Sequence, residues 1–329
     1  MVLLVTGKCA HKCYYCPLSL EKQGKPVAYA NEKLVQGDED VIFEAESIGA
    51  RGTGITGGDP LLAIEKTLHY IELLKSHFGK RHNIHLYTAT PDLKKIGQLV
   101  EAGLDEIRFH PPPKQWGKLE STDYPAAITL ARKKGMRAGM EIPCIPGMEK
   151  EIAALAKAAE TAGAQFLNLN ELEFSESNWQ ALLDRGFQVK DDVSSAVKGS
   201  EETAQKVAKA LEGSRIIIHY CSSSFKDAAQ LRNRIVRRAR NTATTLDIVT
   251  DEGMFIKGVI ESEDIAGTLA SLEVNGIPCE LIRHDAEKGR IEIAAWVLEE
   301  LPEMPGCRYF IVEEYPTADR LEVERRPIN

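Results

Sequence analysis

Seven short apolar runs, each set off from the next by a segment of helical period, dominate the first two thirds of this chain. The runs are Val2 to Val5, Gly52 to Thr56, Ile84 to Tyr87, Glu106 to Phe109, Arg137 to Ile142, Phe166 to Leu169 and Arg215 to Tyr220. Between them, Asp40 to Ala50, Leu61 to Phe78, Leu93 to Ala102, Pro125 to Lys134 and Lys150 to Ala162 repeat their apolar residues with the spacing of one helix face, and Ser175 to Gly186 and Glu201 to Leu211 read as further helices. Strand then helix, repeated, predicts an α/β fold in which a parallel sheet carries helices on its outside. Right-handed crossovers leave a barrel or a doubly wound sheet. Gly103, Gly135 and Gly163 each stand where a helix must end before a strand, the place for a left-handed C-cap.

Composition narrows the class. The 329 residues carry a formal net charge of -8, so a general nucleic-acid footprint is excluded and any such contact must be local. The opening Met-Val-Leu-Leu-Val-Thr-Gly reads as a first core strand rather than a secretion signal, and no apolar run is long enough to cross a bilayer; a cytoplasmic location is expected. Seven cysteines, odd in number with three crowded together, predict metal binding in a reducing compartment rather than a disulfide framework.

Those three are Cys9, Cys13 and Cys16, in the loop that leaves the first strand. Thiolates suit iron–sulfur clusters and zinc. Three of them fill three corners of a cubane and leave one iron open, whereas the usual full set is four. A loop at the C-terminal end of a barrel strand is also where active sites of such folds are built. The other reading is a structural zinc site with His11 or a distant cysteine as fourth ligand.

The run Cys9-x-x-x-Cys13-x-Tyr15-Cys16 resembles the signature of the radical S-adenosylmethionine superfamily. The resemblance implies a partial (β/α)6-type barrel in which the three cysteines hold a [4Fe-4S] cluster. Its open iron would chelate the methionine end of S-adenosylmethionine, with Tyr15 near the adenine. An electron delivered by a flavodoxin- or ferredoxin-type donor would then cleave the cofactor to a 5′-deoxyadenosyl radical. The second strand ends in Gly57-Gly58-Asp59-Pro60, similar to the family's glycine-glycine-glutamate-proline motif, with aspartate in place of glutamate. The glycines remove side chains where a ligand approaches the backbone, Asp59 can pair with an ammonium, and Pro60 suits a first helical turn. Alone, this run would read as an ordinary strand-to-helix turn.

Later strand ends supply further candidates. Arg108 and His110 share one side of a strand, where the family contacts ribose or carboxylate. Pro146-Gly147 resembles the corresponding strand end of pyruvate formate-lyase activating enzyme and implies a backbone contact. Cys144 reads as a small buried hydrophobe. Asn168 and Asn170 share a face, and two inward amides imply a cofactor or substrate contact, mutual hydrogen bonding being the rival. Cys221 follows the seventh run, as a structural cysteine or as a hydrogen-atom donor or auxiliary ligand.

The predicted organisation is a barrel over residues 1–222, a basic linker helix over 223–241, and a small α+β domain over 242–329. In the linker, Phe225, Ala228, Leu231, Ile235 and Ala239 form the apolar face. Lys226, Arg232, Arg234, Arg237, Arg238 and Arg240 crowd the rest, as a solvated face or a patch for RNA or an acidic protein. Past Asn241, turn signals at Asp251-Glu252-Gly253 and Asp285 to Gly289 predict hairpins around a helix from Ser262 to Val274, with a last strand pair after them. Together these features point to a radical enzyme acting on protein or tRNA. The alternatives are a glycyl-radical enzyme activase and, in another class, a metal-binding or electron-transfer module.

Overall fold

In a computed structural model, residues 1–191 and 194–328 are described, those at 227 and 228 by their backbone alone. The chain divides into two compact units, Met1–Ala45 with Ala50–Ala229, and Glu46–Gly49 with Gln230–Asn329.

The first unit holds a nine-stranded sheet. Its strands are β1 (Val2–Leu4), β2 (Tyr29–Ala30), β3 (Lys33–Leu34), β4 (Gly52–Thr56), β5 (Asn83–Thr88), β6 (Glu106–Phe109), β7 (Arg137–Cys144), β8 (Phe166–Glu171) and β9 (Ile217–Cys221). The spatial order is β3-β2-β1-β4-β5-β6-β7-β8-β9, with parallel pairing from β1 through β9 and an antiparallel hairpin, β2–β3, on the β1 edge. The sheet is an open, partial barrel of seven parallel strands, so the run before Cys221 does extend it. The hairpin was not anticipated from the sequence; its strands are two residues each, too short to show an alternation.

Helices α1 (Asp38–Ser47), α2 (Ile64–Phe78), α3 (Leu93–Glu101), α4 (Tyr124–Lys133), α5 (Glu149–Thr161), α6 (Trp179–Leu183) and α7 (Ser200–Ala210) alternate with the strands. Gly103, Gly135 and Gly163 take φ of 96°, 84° and 99°, the left-handed caps that end α3, α4 and α5. Helix packing seals one face of the sheet. Ile84, Leu86, Ile107, Phe109, Met140, Ile142, Leu167 and Leu169 are all at 0% exposure, each worth about 1.5–3 kcal/mol of apolar burial. The alternate residues of the same strands face the lumen.

Ser175 to Gly186 is not one helix. Only α6 is helical there, because Asn178 Oδ1 accepts the Ser175 N–H at 2.7 Å and Ser177 spends its hydroxyl elsewhere. The predicted linker is also interrupted: α8 (Ser223–Phe225) gives way to a wide π turn over Lys226–Leu231 before α9 (Arg232–Thr242). Ile235 and Ala239 are buried while Phe225 and Leu231 are exposed; the Ala228 side chain lies outside the described residues. Arg238 is buried and donates to the Pro316 carbonyl, so the basic stripe is not wholly solvated.

The second unit is α+β. Strands β10 (Ile248–Val249), β11 (Phe255–Ser262), β12 (Ile282–Asp285), β13 (Arg290–Ile293), β14 (Cys307–Glu314) and β15 (Glu322–Pro327) pair antiparallel in the order β12-β13-β11-β14-β15, with β10 beside β11. Ile260, Ile291, Ile293, Leu272 and Leu298 build its core with helices α10 (Ile265–Val274) and α11 (Ala295–Leu298). Elsewhere in this unit Lys257, at 0% exposure, meets Asp247 at 3.1 Å, Glu314 at 2.8 Å and Glu292 at 3.4 Å.

Candidate functional site

The loop that leaves β1 is closed at its neck and pressed onto the end of β4. Gly7 N–H donates to the Lys25 carbonyl and Gly24 N–H to the Gly7 carbonyl, both at 2.8 Å. Only glycine fits at the neck, since a Cβ on Gly7 would lie 1.6 Å from the Lys22 carbonyl oxygen. The glycine pair after β4 works in the same way. Gly58 N–H donates to the Thr6 carbonyl at 2.7 Å and Asp59 N–H to the Lys8 carbonyl at 2.8 Å. Added Cβ atoms on Gly57 and Gly58 would sit 2.3 Å from the Thr6 and Lys8 oxygens. The sequence pointed to glycines that open the backbone to a ligand; their close neighbour in the fold is the cysteine loop itself.

A second clamp arrives from the far side of the sheet. Asn178, at 1% exposure, donates through Nδ2 to the Tyr15 carbonyl at 3.1 Å and to the Glu173 carbonyl at 3.0 Å. Ser177 Oγ donates to the Cys16 carbonyl at 3.0 Å, and the Arg185 guanidinium lies 4.1 Å over the Tyr14 ring. Sequence reasoning passed over these residues; the signal was a run of small polar residues, Ser175 to Asn178, inside a segment read as helix.

Cys9 is exposed, Cys13 and Cys16 are half-buried, and all are reduced. Burial raises the Cys9 and Cys13 thiols, and the other thiols add to the rise, so the three sulfurs sit within electrostatic reach of one another. Three soft sulfurs on one loop, none of them in a disulfide, form a donor set that fits an iron–sulfur cluster.

Beside the loop lies a cavity of about 350 Å³, lined by His11, Thr90, Gln115, Asp123 and Tyr124 among others. Gln115 Oε1 is buried without a hydrogen-bond donor. Asp59 is wholly buried and anchors the neighbouring loop: Oδ1 accepts from Leu61 N–H at 3.0 Å and Thr88 Oγ1 at 2.7 Å, Oδ2 from Thr90 Oγ1 at 2.6 Å and Ala89 N–H at 3.2 Å. Four donors use the capacity of a carboxylate, so this aspartate is committed to the protein. Pro60 follows it as the first residue of a 3-10 turn, with Asp59 as its cap.

The lumen face forms a continuous polar wall. Tyr15 hydroxyl meets His110 Nε2 at 3.0 Å, while His110 Nδ1 lies 2.7 Å from the Glu141 carbonyl oxygen. A carbonyl only accepts, so Nδ1 carries the proton and Nε2 accepts from Tyr15. Burial lowers the His110 pKa, in keeping with a neutral ring. Arg108 donates to Glu106 at 2.6 Å, Glu141 at 2.8 Å and Tyr87 at 2.9 Å. Burial opposes its charge, but Tyr87 and the two carboxylates hold its pKa up. Behind Tyr87, burial and Arg108 push His85 down to about 3. Asn168 and Asn170 each donate at 2.9 Å to Glu141, not to each other. Glu141 is thus the hub that sequence reasoning missed; a lone acid in the apolar run Ala138 to Cys144 was its signal.

The remaining candidates separate. Pro146-Gly147 turns the chain just past β7, with Gly147 exposed at φ 85°. Cys144 is fully buried, its thiol pushed up to about 12 by burial. Cys221 ends β9 in register with Asn170, half-buried and raised by burial.

A relative from Methanocaldococcus jannaschii, which carries the provisional name of a glycyl-radical enzyme activating enzyme, is 43% identical over 344 residues, covering 100% of this chain and 89% of that protein. Residues 253–328 match a family model described as a domain of unknown function (DUF8061). Among solved structures, Streptococcus suis SuiB is similar with a TM-score of 0.43 and 9% identity over 70% of this chain, and methylornithine synthase (PylB) with 0.44 and 13% over 66%. The chain spans 51% and 63% of those two structures. With a relative this similar across the whole of the present chain, the chain belongs to the radical S-adenosylmethionine family and is an enzyme of that family.

Proposed function

We propose that this enzyme modifies a polypeptide, as an activase that places a radical on a partner protein, with a [4Fe-4S] cluster on Cys9, Cys13 and Cys16. The observation that carries the reading is the cysteine loop, held from one side by the Gly57-Gly58 backbone and from the other by Asn178 and Ser177. A loop fixed on both sides keeps three thiolates at constant spacing, which a preformed cluster site requires. The name of the Methanocaldococcus relative supports a protein substrate.

Bound there, the cluster would supply one electron, from a flavodoxin- or ferredoxin-type donor, for cleavage of S-adenosylmethionine to a 5′-deoxyadenosyl radical. Tyr15, its hydroxyl held by His110, offers a fixed ring for the adenine. Gly57, Gly58, Asp59 and Pro60 form the methionine edge, with Asp59 acting through the Thr88–Thr90 loop that it anchors. Arg108 and the Pro146-Gly147 turn complete the rim on the β6 and β7 side. The wall keeps its proton on His110 Nδ1 and pairs Arg108 with Glu106 and Glu141.

Reduced, cluster-loaded protein incubated with S-adenosylmethionine is expected to release 5′-deoxyadenosine, and Cys9→Ser, Cys13→Ser or Cys16→Ser to abolish both the release and the bound iron. Zinc without sulfide in anaerobically purified protein would overturn the reading. A tRNA substrate is the second reading, but its basic helix has Arg238 buried and Arg237 donating to the Ile48 carbonyl.

A further inference from the structure

We infer that Asn168 and Asn170, aimed by Glu141, form the substrate-reading edge of the lumen and grip an extended peptide segment by its main chain. The inference rests on the radical-enzyme reading of the same site and adds how the polypeptide is recognised. Asn168 and Asn170 stay half-buried on the lumen face while Leu167 and Leu169 beside them are sealed at 0%. Glu141, itself 8% exposed, is an acceptor-only group when ionised. It therefore fixes both amides with Nδ2 on its carboxylate, Asn168 on Oε2 and Asn170 on Oε1. This chemistry assigns the two amide orientations. Neither Oδ1 meets a donor among the described residues, and each Nδ2 keeps a second hydrogen. Each asparagine thus presents one carbonyl and one N–H, the pair that a peptide group also carries.

The spacing matches as well. Residues two apart on a strand stand about 6.6 Å apart, and an extended chain repeats its same-side N–H and C=O groups at the same two-residue interval. A peptide lying along β8 meets both amides in register. Recognition through main-chain groups gives affinity without a demand on side-chain identity. Charge favours peptide over RNA. The carboxylates Glu106 and Glu141 are balanced by Arg108 and Arg137, which leaves carbonyl acceptors and, among the described residues of this wall, no surplus cation for a phosphate. Cys221, the register partner of Asn170, marks the end of this edge nearest the loops.

The full-length, cluster-loaded protein is tested with the neutral hexapeptide acetyl-(Ala-Gly)3-amide, the same peptide N-methylated at every second residue, and bulk tRNA, with binding followed by equilibrium dialysis. The unmethylated peptide is expected to bind, N-methylation to weaken it about tenfold or more, and Asn168→Ala and Asn170→Ala each to weaken it about fivefold to tenfold. The methylation arm uses wild-type protein and holds even if a variant misfolds. Equal binding of the two peptides, no binding of either, or binding of tRNA alone overturns the inference. Protein that cleaves S-adenosylmethionine yet ignores the peptide sinks this inference only. Protein that binds the peptide without cleaving the cofactor sinks the proposed function only.

Discussion

Asn178 Nδ2 donates to the Tyr15 carbonyl at 3.1 Å across 163 positions of sequence, tying the loop after β8 to the loop after β1. The same side chain also holds the Glu173 carbonyl and accepts from Ser175 N–H. Asn178→Ala removes all three bonds from a buried site and should cost about 1–3 kcal/mol, read as a lower thermal midpoint. Iron and sulfide content after reconstitution should fall with it. Unchanged iron loading would show that the clamp does not govern the cysteine loop.

Gly58→Ala tests the opposite side of that loop. The added methyl would stand 2.3 Å from the backbone oxygen of Lys8, which cannot swing aside as a flexible side chain would. The loop must shift, at about 1–3 kcal/mol or more. Reconstituted Gly58→Ala should hold less iron than wild type while its far-ultraviolet circular dichroism stays the same.

Asp59→Glu installs the residue of the related motif. Asp59 is wholly buried with four short bonds already made, so one more methylene has no room to enter. A loss of about 1–3 kcal/mol is expected in denaturant unfolding. A variant as stable as wild type would mean that the Thr88–Thr90 loop adjusts freely.

The second unit makes its own prediction. Lys257→Met leaves Asp247, Glu292 and Glu314 buried without their shared cation, and breaking a buried pair typically costs about 3–5 kcal/mol. Acid probes the same network. Burial opposes ionisation of Glu292, but Lys257, Arg283 and Arg290 outweigh it and bring its pKa to about 2, from an ordinary 4.5. The unfolded chain binds that proton first, so the contribution is complete above pH 4.5 and is lost as pH falls towards 2. Thermal midpoints between those values should decline for wild type and decline less for Glu292→Gln.

Sequence by itself determined the alternation of strand and helix, the left-handed glycine caps, the cysteine loop and the glycine pair. Each of these is a local signal: apolar periodicity, a positive φ that only glycine takes without strain, or ligand spacing within a few residues. It also put Arg108 and His110, and Asn168 and Asn170, on shared faces, because strand side chains alternate. Tertiary structure alone decided their partners. Glu141 became the hub of the lumen only when β7 was laid between β6 and β8, and Asn178 a clamp only when its loop reached back to Tyr15. The donors from Thr88 to Thr90 that claimed Asp59 and the buried ions around Lys257 likewise depend on groups distant in the chain. Hydrogen bonds and ion pairs act over about 3 Å of space whatever the separation in sequence, so a pattern read along one chain can place a side chain on a face but cannot say what it will meet there.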